Sequence, residues 1–420
     1  MRKIKCASGI NATVNVPGSK SYSHRIAIAA ALSNGICSIY NYLDSQDTNY
    51  TLDAIKQIGV NIINNKNTID VHGCAGWFAR GPKSIYLGNS GTSMRLLTAV
   101  SALGQGPYEF SGTGRMHERP IGELLAALVQ TGVSARSINN DNCPPLEIRG
   151  GNITGRKVFI DCSKSSQYLS GLLLMAPCTK NGLDIHVTAG PVSGPYVEMT
   201  ADIMSAFGIR YERSGLTDFR VPGGQVYASG SYTVEPDCSQ AGYFWAAAAI
   251  TKGCVKVAGI RADTRQGDVG FTEILEKMGC RVASDPDGIT VTGGRLSAVD
   301  ADMGNMPDLV PTLAVAAAFA EGTTIIRNVA HLRAKESDRL AAVANELVKM
   351  KIDVRITEDG LRVTGGDPQG AEIDTYDDHR IAMSFAVAGL AVPGVAIRDP
   401  SCVEKSFPGF WEVFEGLYAK

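Results

Sequence analysis

The sequence predicts an α/β fold made of six copies of a βαβαββ unit, three in each of two domains. Helix-length apolar runs end at Gly35, Gly106, Gly182, Gly253, Gly322 and Gly394. The spacing of about 70 residues is too long for an ordinary solenoid, so each copy is nearly a subdomain. Each glycine opens a β-rich stretch, and that order suits helix-on-sheet layers joined by right-handed crossovers. At 420 residues the chain exceeds what one hydrophobic core usually serves, and six units divide as three plus three.

In chain order the apolar runs are IAIAAAL, LLTAVSAL, LSGLLLMA, YFWAAAAI, LAVAAAFA and IAMSFAVAGLA. They are apolar on nearly every face, the pattern of a helix inside a core rather than on its surface. The stretches after the glycines read GICSIYNYL, GPYEFSG, GLDIHVT, GCVKVAGI, GTTIIRNV and GVAIRD, rich in β-formers. Second helices follow in TLDAIKQIGV, LLAALVQTGV, MTADIMSAFGI, FTEILEKMGC and LAAVANELVKMKI, amphipathic and therefore expected to be more exposed. A Gly/Ser-rich stretch from Gly223 to Ser231 is the expected hinge between copies three and four.

Composition narrows the chemistry. Apolar content of 44% with 20% charge is that of a globular chain, and a net charge of −2 gives no whole-molecule attraction to nucleic acid or an anionic membrane. The opening MRKIKCASGI lacks an apolar signal core, and no segment reaches about 18 uninterrupted apolar residues, so a cytoplasmic protein is expected. The ten cysteines are scattered, with no CxxC pair and no HxxxH or HExxH, which signals neither a metal cage nor a disulfide framework.

The segments just before the apolar helices are small and polar: GSKSYSHR, GNSGTSMR, DCSKSSQY, EPDCSQAG, MGNMPDLV and YDDHRIAM. Such residues cap helices, and the free N–H groups with the helix dipole make an anion site. Charges gather at the openings of the second helices in GRMHERP, GPVSGPY, DTRQGD, HLRAKESDR and VEKSFP. Together with Lys20, Arg25, Arg95 and Arg380 they place cations where the macrodipole disfavours them. A strongly anionic ligand resolves that conflict, because guanidinium groups bind carboxylate and phosphate bidentately. GSKS is not a nucleotide-binding P-loop, since the GxxxxGK[ST] spacing is absent. If the three buried helices of each domain pack in parallel, their starts emerge on one side, and two domains facing each other would enclose a cleft of positive helix ends.

The strings PGSKSYSHR, LGNSGTSMRLL, GRMHERPIG, SSQY, HLRAKESDRL, TYDDHRIAM and DPSCVEKSFPGF, in this order from residue 17 to 410, resemble the signature segments of the 5-enolpyruvylshikimate-3-phosphate synthase family (3-phosphoshikimate 1-carboxyvinyltransferases). The resemblance implies a two-domain inverted (inside-out) α/β barrel: residues 19–227 as the N-terminal domain, and 1–18 with 228–420 as the C-terminal one. It implies transfer of the enolpyruvyl group of phosphoenolpyruvate to the 5-hydroxyl of shikimate 3-phosphate, on the shikimate pathway to chorismate and the aromatic amino acids. The resemblance places shikimate 3-phosphate against Lys20, Ser21, Arg25, Ser165, Ser166, Gln167, Ser193, Tyr196, Asp308, His331 and Lys335. Phosphoenolpyruvate would meet Lys20, Asn89, Gly91, Arg119, Gln167, Arg339, Arg380 and Lys405. Asp308, Glu336 and Lys20 are the implied catalytic groups, with no metal, no cofactor, no partner beyond the two small substrates, and a monomeric state. Leu96 stands where many members have Pro, which bears on binding of the inhibitor glyphosate; His117 replaces a frequent Lys and His331 a frequent Asn.

Two other functions fit parts of the pattern. The related transferase acting on UDP-N-acetylglucosamine shares the repeats, but it looks for a Cys in the mobile loop, and Ser111 to Pro120 holds none. A non-catalytic anion-binding scaffold would explain the Arg and Lys residues, but not Asp308 and Glu336 placed among them.

Overall fold

The computed structural model describes residues 1–65 and 68–418, which fall into two compact units, Gly18–Val234 and Met1–Pro17 with Glu235–Lys420. In the unit Gly18–Val234 three four-stranded sheets repeat one pattern. Lys83–Tyr86 runs parallel to Tyr108–Ser111, which pairs antiparallel with Leu146–Arg149, itself paired with Ser134–Ser137. The same order recurs in Lys157–Asp161, Leu183–Ala189, Asp218–Val221 and Glu212–Ser214. The parallel pair is joined through a buried helix, as the crossover rule requires.

The remaining sheet of this unit takes a strand from far along the chain. Gly230–Thr233 runs parallel to Ile36–Tyr40, and Asn41 donates its amide to the Val234 carbonyl at 2.8 Å. In the other unit Asn11–Val14 runs parallel to Cys254–Ala258. The two units thus exchange first strands, and residues 228–234, expected in the C-terminal domain, lie with the N-terminal repeats. The Gly/Ser-rich composition that suggested a hinge belongs to an edge strand, whose pairing depends on a partner nearly 200 residues away in sequence.

In the unit containing Glu235–Lys420, two copies are complete: Asn11–Val14, Cys254–Ala258, Gly288–Thr292 and Arg281–Asp285 form one sheet, and Asp300–Asp302, Thr323–Arg327, Leu361–Thr364 and Asp353–Ile356 the other. The sixth copy departs from the expected βαβαββ. Its parallel pair is Glu372–Ile373 and Ala396–Ile397, and the closing hairpin is replaced by Arg2–Lys3, antiparallel to Ala396–Ile397.

The first helix of each copy is the core: Lys20–Ala31, Gly91–Val100 and Gln167–Met175 in one unit, and Cys238–Thr251, Val310–Ala317 and His379–Ala391 in the other. Nearly every residue of these six is buried, while the second helices, such as Gln46–Gln57 and Arg339–Lys349, bury one face. Close packing is enforced by Gly171, where a Cβ would come within 2.9 Å of Ala99 Cβ and 3.1 Å of the Arg95 carbonyl. Leu96 lies in the interior of its helix and is fully buried. Among the described residues no helix is long and apolar enough to cross a membrane.

Candidate active site

In the unit Gly18–Val234 the helix starts gather four cations. Lys20 opens its helix behind the Ser19 cap, is buried, and lies 3.2 Å from Asp47, in the first turn of the neighbouring helix Gln46–Gln57. Arg25, one turn along, donates from Nε to Thr200 Oγ1 at 2.8 Å, and from its terminal nitrogens to the carbonyls of Ser21 and Tyr196 at 2.9 and 3.1 Å. Its remaining hydrogen bond reaches Ser170 Oγ at 3.4 Å. All of these acceptors are neutral, and burial lowers the Arg25 pKa to about 10, so the group remains a cation at neutral pH.

Asn89, Ser90 and Gly91 start the second core helix. Arg119 donates to the Asn89 carbonyl and side-chain oxygen at 2.9 and 3.0 Å. Arg95 donates to Gln167 Oε1 at 3.1 Å and to the Pro120 carbonyl at 3.1 Å, and Tyr168 donates to that carbonyl at 2.7 Å, so the residue following Arg119 is held from two sides. Gln167 in turn donates to Thr92 Oγ1 at 2.9 Å. A Cβ on Gly91 would overlap the Arg119 and Arg95 guanidinium groups, which is the close approach a glycine permits. Ser165 accepts from the Gln167 N–H at 3.3 Å, Ser166 immediately precedes the third core helix, and Ser193 holds a left-handed φ of 55° two residues before the helix Pro195–Ala206 that carries Tyr196. A left-handed Ser costs roughly 1–2 kcal/mol, and such strain concentrates at functional sites.

The other unit answers with an ion-pair lattice. Asp308 lies in the short 3₁₀ turn Pro307–Leu309, and its two oxygens take Arg339 Nη1 at 2.7 Å and Arg380 Nη2 at 2.9 Å. Arg339 also bonds Glu336 through Nη2 at 2.7 Å and Asp378 through Nε at 2.8 Å. Asp378 caps the helix His379–Ala391 by accepting the Arg380 N–H at 3.0 Å, and it accepts the Ser337 hydroxyl at 3.0 Å. Burial works against the charge of Arg339, but Asp378, Glu336 and Asp308 outweigh it and raise its pKa. Arg380, which also donates to the Tyr243 hydroxyl at 3.1 Å, is raised for the same kind of reason. Just before this cap, Tyr376 and Asp377 both take left-handed φ angles of 55° and 53°.

The same unit holds three more titratable groups. His331, in the 3₁₀ segment Ala330–Ala334, has its pKa driven down to about 3 by burial and by Lys335, so it is neutral near pH 7. Lys405 is buried at the end of the 3₁₀ segment Pro400–Lys405. Asp268 is fully buried; desolvation and the Asp308 charge, partly opposed by Arg380, raise its pKa to about 7. Among the described residues no group of three or more His, Cys, Asp or Glu is placed to hold a metal ion.

A family model for EPSP synthase (3-phosphoshikimate 1-carboxyvinyltransferase) matches residues 4–414. The chain belongs to the EPSP synthase family. A 3-phosphoshikimate 1-carboxyvinyltransferase of Syntrophobacter fumaroxidans is 45% identical over 421 residues, covering 99% of this chain and 100% of that protein. One from Methanoculleus marisnigri is 44% identical, covering 97% of each. The solved EPSP synthase of Acinetobacter baumannii superposes with a TM-score of 0.81 at 28% identity, covering 99% of this chain and 97% of that one.

Within one unit the structure brings together Lys20, Arg25, Asn89, Gly91, Arg119 and Gln167, with Ser165 hydrogen-bonded to Gln167 and Tyr196 to Arg25. In the other it brings together Asp308, Glu336, Arg339 and Arg380, with His331 within electrostatic reach of Asp308, Arg339 and Lys335. Sequence reasoning missed three participants, Asp47, Asp378 as the clamp on Arg339, and Asp268, and it named Arg95 as a helix-opening cation without its role as the clamp on Gln167. Asp378 and Arg95 sat inside the flagged strings YDDHRIAM and GNSGTSMR, and their excess of charge at a helix start was the usable signal.

Proposed function

We propose that the chain transfers the enolpyruvyl group of phosphoenolpyruvate to the 5-hydroxyl of shikimate 3-phosphate and releases phosphate. The observation that carries the reading is the Asp308 carboxylate held between Arg339 and Arg380, with Glu336 on the same Arg339 fork. An anionic substrate competes for those guanidinium N–H groups, and a base freed from its ion pairs gains basicity. Buried Arg25, bonded to neutral oxygens, supports the same reading, because a cation taken out of water calls for an anion.

In this reading shikimate 3-phosphate is bound by Lys20, Ser21, Arg25, Ser165, Ser166, Gln167, Ser193, Tyr196, Asp308, His331 and Lys335. Phosphoenolpyruvate is bound by Lys20, Asn89, Gly91, Arg119, Gln167, Arg339, Arg380 and Lys405. Glu336 or Lys20 delivers a proton to the enolpyruvyl methylene carbon, leaving cationic character on the adjacent carbon. The 5-hydroxyl oxygen bonds to that carbon while Asp308 accepts its proton, giving a tetrahedral adduct. The adduct then loses a methyl proton and the phosphate, which restores the double bond. Guanidinium forks hold the charged groups in line throughout, so positioning and electrostatics carry most of the rate. Neutral His331 serves as a hydrogen-bonding group rather than a cation.

The reading includes action as a monomer in the cytoplasm, where phosphorylated substrates are retained by their charge; light scattering tests the monomer. Phosphate release from phosphoenolpyruvate tests the reaction. Release that requires shikimate 3-phosphate supports it. Release that requires UDP-N-acetylglucosamine instead assigns the chain to the related transferase, and no release with either acceptor leaves an anion-binding scaffold.

A further inference from the structure

Inside the unit Gly18–Val234 a hydrogen-bonded chain joins three helix starts without reaching solvent. His24 Nδ1 lies 2.7 Å from Thr51 Oγ1, Thr51 Oγ1 lies 2.7 Å from Ser93 Oγ, and Ser90 Oγ lies 2.7 Å from Ser93 Oγ. Ser93 Oγ donates to the Asp47 carbonyl at 3.3 Å. All five residues are buried.

Proton counting ties the directions to one another. A hydroxyl has one proton to give. With the Ser93 proton on the Asp47 carbonyl, which can only accept, Thr51 and Ser90 both donate to Ser93, and this is the arrangement the proposal takes. In that arrangement Thr51 has only lone pairs to offer His24, which puts the proton between them on Nδ1. The tautomer of a buried imidazole is set in this way by its partner.

The ends of the chain are what give it a role. Ser90 is the residue before Gly91, and Asp47 holds Lys20 through its carboxylate. We propose that His24, carrying its proton on Nδ1, is a positioning residue for phosphoenolpyruvate, fixing the Ser90–Gly91 turn and the Asp47–Lys20 pair through Thr51 and Ser93. This rests on the assignment of Asn89, Gly91 and Lys20 to phosphoenolpyruvate made above. Ser165, Ser166 and Ser193, assigned to the other substrate, stand outside the chain, and Lys20 is the one group it reaches that both substrates share, so the larger effect falls on phosphoenolpyruvate.

The test uses three full-length variants. Thr51→Val keeps the shape and removes the relay hydroxyl, and His24→Leu removes the donor. His24→Asn retains one, because the Asn Nδ2 sits about where the imidazole Nδ1 does. Thr51→Val and His24→Leu should raise KM for phosphoenolpyruvate about 10-fold, the scale of a sub-ångström misplacement, and raise KM for shikimate 3-phosphate, which shares only Lys20, by no more than about threefold. His24→Asn should restore the wild-type KM to within about threefold, by the same retained hydrogen bond. A Thr51→Val protein with a lowered Tm and an unchanged KM for phosphoenolpyruvate would overturn the proposal, as would failure of His24→Asn to rescue; Thr51→Val decides the matter if His24→Leu does not fold. Nitrogen NMR of the wild-type imidazole, assigned by loss of the signal in His24→Asn, should show a protonated Nδ1, and a proton on Nε2 alone would overturn the chain. Absence of phosphate release by the wild type would instead overturn the proposed function, and the imidazole spectrum would still report on the chain by itself.

Discussion

The two units hold their arginines in opposite ways. In Gly18–Val234, Arg25 and Arg95 are anchored by carbonyls, hydroxyls and an amide, so their charge is left uncompensated among the described residues. In the other unit Arg339 and Arg380 are anchored by Asp308, Glu336 and Asp378, and their charge is largely cancelled. A guanidinium on neutral acceptors is preset to receive an anion, whereas one in a carboxylate lattice must change partners to do so. The first arrangement suits recognition. The second suits the proposed chemistry, in which an exchange of partners would alter the basicity of the carboxylates.

The largest break in this comparison should come from Asp308→Ala. It removes the carboxylate shared by both arginines, and turnover should fall at least about 100-fold, the scale of a lost general base. Steady-state phosphate release measures it, and near-normal turnover would take Asp308 out of the base role.

Gly91→Ala probes the recognition side. The added methyl overlaps the Arg119 and Arg95 guanidinium groups. A displacement of that size should raise KM for phosphoenolpyruvate by about 10-fold or more, with a smaller change in kcat, since the carboxylates of the other unit are untouched.

Arg25→Lys keeps a positive charge but cannot reproduce the fork that reaches Thr200 and the Tyr196 carbonyl. KM for shikimate 3-phosphate should rise about 10-fold in kinetic titrations, by the loss of one charge-assisted contact. An unchanged KM would place Arg25 in folding alone.

The smallest effects concern protons. Burial, with Lys335 beside it, pushes folded His331 down to about 3 from the 6.5 of a free imidazole, so the unfolded chain binds more protons between these limits. Its contribution to stability is therefore present above pH 6.5 and is lost as pH falls toward 3. Asp268 has the opposite sign: raised from 3.8 to about 7, it stabilises the folded state below 3.8 and that contribution is lost as pH rises through 7. His331→Asn should accordingly flatten the acid-side loss of Tm, and Asp268→Asn should steepen it. Melting curves at several pH values between 4 and 7 separate the two, and parallel curves for both variants would contradict the assignment.

How much of this was legible in the sequence depends on what kind of order each feature obeys. The six buried helices were readable because an apolar run such as YFWAAAAI has one stable location whatever surrounds it. Lys20, Arg25, Arg95 and Arg380 stood out as cations at helix openings, where unexpected charge gathers in a short string, whereas Gly91, Asp308 and Arg339 were named only through the resemblance of whole strings to a family. The polar strand Gly230–Thr233 read as a hinge, since its identity depends on pairing with Ile36–Tyr40. The shortened sixth copy was hidden for the same reason, its hairpin position being taken by Arg2–Lys3 from the opposite end of the chain.

The sequence by itself determined the α/β class, the repeat, the buried helices and most of the charged groups at their starts, because these follow from local periodicity and helix-end electrostatics. Only the tertiary structure decided which strand completes which sheet, that Arg339 lies among three carboxylates, that His331 is held neutral and Asp268 is raised, and that His24, Thr51, Ser93 and Ser90 form one chain. Each of these depends on what surrounds a group in space, since desolvation and hydrogen bonding act over a few ångströms and not along the chain.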